Sequence, residues 1–182
     1  MKVSISSSSR STIDKYYIDV ARETSSYLAS KGYDLIYGGC SVSMMGACYE
    51  EFKNAGRKIN IYTTKTYEDD LKNLDYDDCE VCDTTFDLKK RMFYDSEIVL
   101  ILPGGPGTLA ELLAFMEEKR SNNQGSKALV VYDGNDFYNK TFKVLDEFIE
   151  NKFVGEEIYN FIKVAHNMDE FKKIIDSCTQ GE

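Results

Sequence analysis

Short, wholly apolar runs alternate along this chain with longer stretches in which apolar residues return every three or four positions. The first spacing belongs to buried strands, the second to helices with one buried face. Residues 2–6 read as a strand, and Ile13, Tyr17, Val20, Ala21, Thr24 and Leu28 then recur at helical spacing until Gly32 stops the run. Residues 34–37 form a second strand running into Gly38-Gly39, and a helix over 43–55 buries Met44, Met45, Cys48 and Phe52 before Gly56. Residues 59–62 give a third strand. The acidic stretch 67–78 is the least regular and reads as an exposed helix or loop, with a short strand over 80–83 at its end. A helix over 87–95 turns Leu88 and Met92 inward and leads into Ile98-Val99-Leu100-Ile101-Leu102. A continuous apolar pentad of this kind marks a central strand covered on both faces. After a Gly/Pro loop come a helix over 108–120, a polar turn at 122–126 and a strand over 128–132. A helix over 137–152, a strand over 161–164 and a helix over 168–177 complete the pattern.

The alternation predicts an α/β fold: a Rossmann-like, doubly wound sheet of about seven mainly parallel strands with helices on both faces, in one domain over residues 1–182. Ligands of such sheets sit beyond the carboxyl ends of the strands, which directs attention to the loops after Ser6, Tyr37 and Leu102.

Composition narrows the partners. With 182 residues, 42% of them hydrophobic, the chain can close a core without disulfides or metals. A net charge of −9 argues against nucleic acid, which is bound through basic patches. No apolar run is long enough to cross a membrane, and Met1 to Ser6 leads into serines instead of a signal-peptide core. Five cysteines without an export signal fit a reducing compartment, so a cytoplasmic location is expected. A small phosphorylated ligand stays compatible with the acidic surface, because backbone N–H groups and one or two local cations act at short range.

Candidate chemistry concentrates in one loop. Both prolines of the chain and three of its twelve glycines fall within Pro103-Gly104-Gly105-Pro106-Gly107, directly after the most buried strand and before Thr108. Glycines let the backbone approach an anion, and the N-terminus of the following helix offers unpaired N–H groups. A tight strand-to-helix turn without a ligand fits the same spacing. The loop is neither a Walker A motif nor a dinucleotide fingerprint, which leaves a mononucleotide as the preferred phosphate ligand. Glu111, three residues beyond Thr108, reads either as a carboxylate facing that pocket or as a capping-box acid. A second strand, glycine pair and helix start, Tyr37 to Gly46, can form the opposite wall of the same cleft. Cys79 and Cys82 have C-x-x-C spacing but do not open a helix after a first strand, as a redox motif would. With one histidine, His166, and no G-x-S-x-G elbow, neither a zinc site nor a hydrolase triad is indicated. The helix over 108–120, with Leu112, Leu113, Phe115 and Met116, carries more apolar surface than one sheet face needs, which predicts a homodimer seam.

The two loops resemble those of the LOG-type phosphoribohydrolases, long mislabelled as lysine decarboxylases. Their patterns are G-G-G-x-x-G-L-M-G and P-G-G-x-G-T-x-x-E, and the second is matched in full from Pro103 to Glu111. The resemblance implies a homodimer that needs no cofactor or metal and cleaves the N-glycosidic bond of AMP or N6-modified AMP, releasing free base and ribose 5-phosphate. It implies that Gly104, Gly105, Gly107 and Thr108 hold the 5′-phosphate, that Glu111 acts beside the ribose, and that Ser7, Gly39, Lys89 and Met92 contribute to the nucleotide pocket. The family places an arginine before the lysine on the helix preceding the central strand. Here that position is Leu88, and Arg91, one helical turn on, is the expected source of the guanidinium. Cys40 and Ser43 stand where the family has glycine. Three readings therefore stay open: a hydrolase, a catalytically weak or inactive nucleotide-binding protein of the same fold, and a related base-exchanging enzyme.

Overall fold

The computed structural model describes residues 1–122 and 127–179, so the polar turn expected at 122–126 lies, apart from Asn122, outside the described residues. Seven strands among them are β1 (Lys2–Ser6), β2 (Asp34–Tyr37), β3 (Ile59–Thr64), β4 (Asp78–Cys82), β5 (Ile98–Ile101), β6 (Ala128–Tyr132) and β7 (Lys163–Ala165). They pair in parallel in the order β4-β3-β2-β1-β5-β6-β7. The helices α1 (Lys15–Ser30), α2 (Ser43–Asn54) and α6 (Met168–Thr179) pack on one face around Leu28, Phe52 and Phe171. On the other face α3 (Thr85–Tyr94), α4 (Pro106–Asn122) and α5 (Asn139–Glu150) pack around Phe93, Phe115 and Leu145. This is the Rossmann-like, doubly wound architecture that the periodicity predicts.

Local signals explain the element ends. The Asp14 carboxylate accepts the Tyr16 N–H at 2.8 Å to start α1, and Gly32 follows its end with φ +88°. Thr84 caps α3 by accepting the Asp87 N–H at 3.1 Å, so that helix begins two residues before the expected Asp87. Pro106, with fixed φ and no N–H to leave unpaired, occupies the first position of α4, which therefore starts before Thr108. Strand β3 runs two residues past the expected Tyr62, because the β-branched Thr63 and Thr64 pair with Val81 and Cys82 of β4. The acidic stretch is a 3-10 helix over Lys65–Leu71 that turns Leu71 into the core.

Two expectations meet a packing reason. Leu112, Phe115 and Met116 are all buried against the sheet, and only Leu113, 43% exposed, faces outward. The three apolar residues expected to be surplus are thus taken up by the core of the chain itself, and Leu113 is the one of the four that α4 leaves exposed. Cys79 and Cys82, three residues apart on a strand, belong to opposite faces of the sheet, so their spacing reflects strand alternation and not a dithiol.

Gly39 joins the sheet to the 3-10 segment. Its φ is +77°, and a Cβ there would overlap both Leu71 Cδ2 and Ile61 Cγ2. The missing side chain is what lets Leu71 seat against the loop after β2. Gly39→Ala combines backbone strain with overpacking and is expected to cost about 2–4 kcal/mol in denaturant unfolding; a loss under about 0.5 kcal/mol contradicts this packing role.

Candidate active site

Strand order reverses at β1, which has β2 on one side and β5 on the other, and a cleft opens beyond this point. Its volume is about 600 Å³, a size suited to a small organic ligand. One wall is the β5–α4 loop with Gly105, Gly107 and Thr108; the opposite wall is the β2–α2 loop with Gly38, Gly39 and Cys40. Helix α3 adds Leu88, Lys89 and Met92, and the segment after β1 adds Ser6, Ser7 and Arg10. The two glycine loops therefore do line one cleft.

The β5–α4 loop is held from two sides. The Leu102 N–H donates to the Ser6 carbonyl at 2.9 Å, and the Tyr138 hydroxyl donates to the Leu102 carbonyl at 2.7 Å. Tyr138 is set in turn by its own N–H, which donates to Asp133 Oδ1 at 2.6 Å. The three loop glycines differ in what requires them. At Gly104 a Cβ would overlap the Thr108 side chain, so this glycine answers a packing need, and it does not line the cleft. At Gly105 and Gly107 an added Cβ would meet nothing within 4 Å, and neither has a positive φ. Packing and strain leave those two glycines unexplained, whereas a ligand approaching the bare backbone explains both. Gly105 accepts the Leu109 N–H at 3.0 Å, so the next N–H groups, of Gly107 and Thr108, belong to the unpaired first turn of α4.

Glu111 lines the cleft from the second turn of α4. Enclosure pushes its carboxyl above the usual range, while the nearby Ser6 hydroxyl and Lys89 ammonium favour the ionised form and pull it back. Ser6 is only 3% exposed, and its hydroxyl makes no hydrogen bond of normal geometry with any described group. Lys89 and Arg10 are the cationic side chains of this cleft.

Arg91 is not brought to it. Thr85, Leu88, Lys89 and Met92 form the cleft-facing side of α3, and Arg91, one residue before Met92, points about 100° away around the helix. Its Nε donates to Glu80 Oε1 at 3.1 Å on β4. Of the residues expected at the site, Ser7, Gly39, Lys89, Met92, Gly105, Gly107, Thr108 and Glu111 line one cleft; Gly104 and Arg91 do not. Sequence reasoning missed Arg10, Thr63, Tyr67 and Asp70, which also line it. Only the position of Arg10, just after the first strand, carried a signal.

Ser43 stands at a glycine position of the loop pattern and keeps the left-handed backbone that suits glycine, φ +57°. Its hydroxyl donates to the Arg10 carbonyl at 2.6 Å, so the substitution ties the two loops together. One group of metal-ligand types occurs among the described residues, Asp133, Asp136 and His166, with ligand atoms within 4.8 Å of one another. None of the three lines the cleft, and Asp133 already holds Tyr138.

With this geometry in hand, comparison with known proteins places the chain. The family model described as possible lysine decarboxylase matches residues 44–175. The chain belongs to this family, the LOG family. It is 28% identical over 153 residues to a probable cytokinin riboside 5′-monophosphate phosphoribohydrolase of Oryza sativa subsp. japonica, covering 83% of this chain and 60% of that protein. A cytokinin riboside 5′-monophosphate phosphoribohydrolase of Mycobacterium marinum is 26% identical over 165 residues, covering 90% and 86%. Against the rice protein the chain thus spans less than two thirds of its relative's length. Among solved structures, the molybdenum cofactor carrier protein of Chlamydomonas reinhardtii superposes with a TM-score of 0.70 at 18% identity, covering 99% of both chains. The molybdenum cofactor binding protein of Rippkaea orientalis gives 0.69 at 16%, covering 98% and 95%. At these identities the structures speak for the fold alone. No helix of the described residues is long and apolar enough to cross a membrane.

The Lys89–Glu111 interaction is directly measurable. Lys89→Met removes the nearby cation and is expected to raise the Glu111 midpoint further, moving loss of the carboxylate to higher pH. A carbon-13 titration of the Glu111 carboxyl reads this; an unchanged or lower midpoint contradicts it.

Proposed function

We propose that this member of the LOG family hydrolyses the N-glycosidic bond of a nucleoside 5′-monophosphate, AMP or an N6-modified AMP, to free base and ribose 5-phosphate. The observation that carries the reading is the pair of glycines, Gly105 and Gly107, that neither packing nor backbone strain requires, at the first turn of α4 and within one cleft with Glu111. The N–H groups there bind the 5′-phosphate, assisted by the partial positive charge of the helix end. Lys89 and Arg10 add positive charge from the other walls, and Arg10 supplies the guanidinium that Leu88 and the outward-facing Arg91 do not.

In the reaction, the bond from C1′ to the base nitrogen breaks, its electron pair leaves with the base, and a water oxygen bonds to C1′. The carboxylate of Glu111 stabilises the positive charge that develops on the ribose and accepts the proton of the attacking water, and that proton ends on the departing base nitrogen, which leaves Glu111 ionised again. A carboxyl raised above its usual range is the better proton acceptor near neutrality. The reaction is assigned to a homodimer joined through the α3–α4 groove, where Phe86 is 79% exposed beside Tyr94 and Ala114. Two departures from the family pattern, Leu88 and Ser43, support the second reading, a nucleotide-binding protein without turnover.

Incubation with AMP and N6-isopentenyl-AMP, with assay of free base and ribose 5-phosphate, decides between the two. Release is expected from a species of twice the 20.8 kDa chain mass. Glu111→Ala is expected to lower it roughly 100-fold or more. Gly105→Ala is expected to keep the unfolding midpoint while raising KM. Binding of AMP without release supports the second reading, and no binding of either nucleotide contradicts both.

A further inference from the structure

The cleft has a chemically distinct far end. Gly105, Gly107 and Thr108 line it after β5, Ser6 and Glu111 lie over β1, and Thr63, Tyr67 and Asp70 line it past β2, at the end of β3 and on the following 3-10 helix. Neighbouring strands are about 4.8 Å apart, so the span from β5 to β3 is roughly 14 Å. With the phosphate on the β5 loop and the glycosidic carbon beside Glu111, as in the function proposed above, the base extends over β2 and β3. It meets Thr63 and Asp70 there.

Both residues are poised for a polar ligand. The Thr63 side chain is 1% exposed, lines the cleft, and its hydroxyl has no hydrogen-bond partner among the described residues. A buried hydroxyl left unpaired is costly, and a hydrogen-bonding ligand removes that cost. Asp70 is exposed and lines the cleft, and its carboxylate makes no hydrogen bond or ion pair among the described residues. Its neighbour Leu71, seated against Gly39, fixes the 3-10 helix over the end of the sheet. Tyr67 adds an aromatic edge to the same wall.

We infer that Thr63 and Asp70 form the base-recognising end of the cleft and select a base that offers an exocyclic amino group over one with a carbonyl at that position. The inference rests on the nucleotide reading of the site. An ionised carboxylate only accepts hydrogen bonds, so it pairs with the N–H of a 6-amino purine and repels the lone pairs of a 6-oxo purine. An N6-alkyl group leaves one N–H and is tolerated. A hydrogen bond to a charged group is worth roughly 10-fold to 100-fold in affinity, which sets the expected preference for AMP over inosine 5′-monophosphate. Asparagine both donates and accepts, so Asp70→Asn erases the preference by admitting the oxo base.

The test is calorimetric titration of the full chain in a Glu111→Gln background, which suppresses turnover, with AMP, inosine 5′-monophosphate and ribose 5-phosphate. The expected result is at least tenfold tighter binding of AMP than of inosine 5′-monophosphate. Asp70→Asn should reduce that ratio to near one, Thr63→Val should weaken AMP alone, and ribose 5-phosphate affinity should stay unchanged in both variants. Equal affinity for the two nucleotides, or a preference that survives Asp70→Asn, overturns the inference while ribose 5-phosphate binding leaves the phosphate reading standing. Failure of all three ligands to bind overturns both.

Discussion

The parallel pairing of β1 with both β2 and β5 is the constraint on which the rest of the molecule depends. Because the chain winds outward in opposite directions from β1, the connections after β1 and β5 leave for helices on opposite faces of the sheet, α1 on one and α4 on the other, and a crevice opens between them. The crevice between them is a consequence of topology and exists before any side chain is chosen. Side chains then decide what it accepts. Backbone N–H groups of α4 occupy one end, a carboxylate the middle, and unpaired polar groups the other end.

Sharing one crevice couples features that look separate along the chain. Asp133 holds Tyr138, Tyr138 holds the Leu102 carbonyl, and Leu102 opens the loop that presents Gly105 and Gly107. The segment after β6 thus matters to the site without lining it. Gly39 lines the cleft and also gives Leu71 its seat, so one missing side chain sets the distance between the two glycine-bearing walls and the 3-10 helix. Ser43 accepts left-handed backbone strain and returns a hydrogen bond to the Arg10 carbonyl, anchoring the segment that carries a cleft cation.

The apolar patterning along the chain was enough for the order and type of the elements, because burial on both faces writes pentads such as 98–102 and 128–132 directly into the sequence. The loop from Pro103 to Glu111 was recognisable for a similar reason: its glycines and prolines stand out against their neighbours. What the sequence hid depended on rotation and on contacts between distant segments. Arg91 and Leu88 are one turn apart, yet the phase of α3, set by burial of Met92 and Phe93, turns Arg91 toward Glu80. Leu112, Phe115 and Met116 recur at a spacing that fits a partner as well as a sheet; only their packing with Val99, Ile101, Leu129 and Val131 of β5 and β6 shows that they are already covered. Thr63 and Asp70 lie in polar stretches without periodicity, and their place in the cleft follows from the β3–β4 register and the Gly39–Leu71 contact.

The central claim is that the first turn of α4 is a phosphate site, and its most direct measurement is a titration of the nitrogen-15-labelled protein with ribose 5-phosphate. Saturable shifts centred on the amides of Gly105, Gly107 and Thr108, with the Glu111 neighbourhood moving at the same concentration, are the expected result. Shifts centred elsewhere, or none at millimolar ligand, would contradict it.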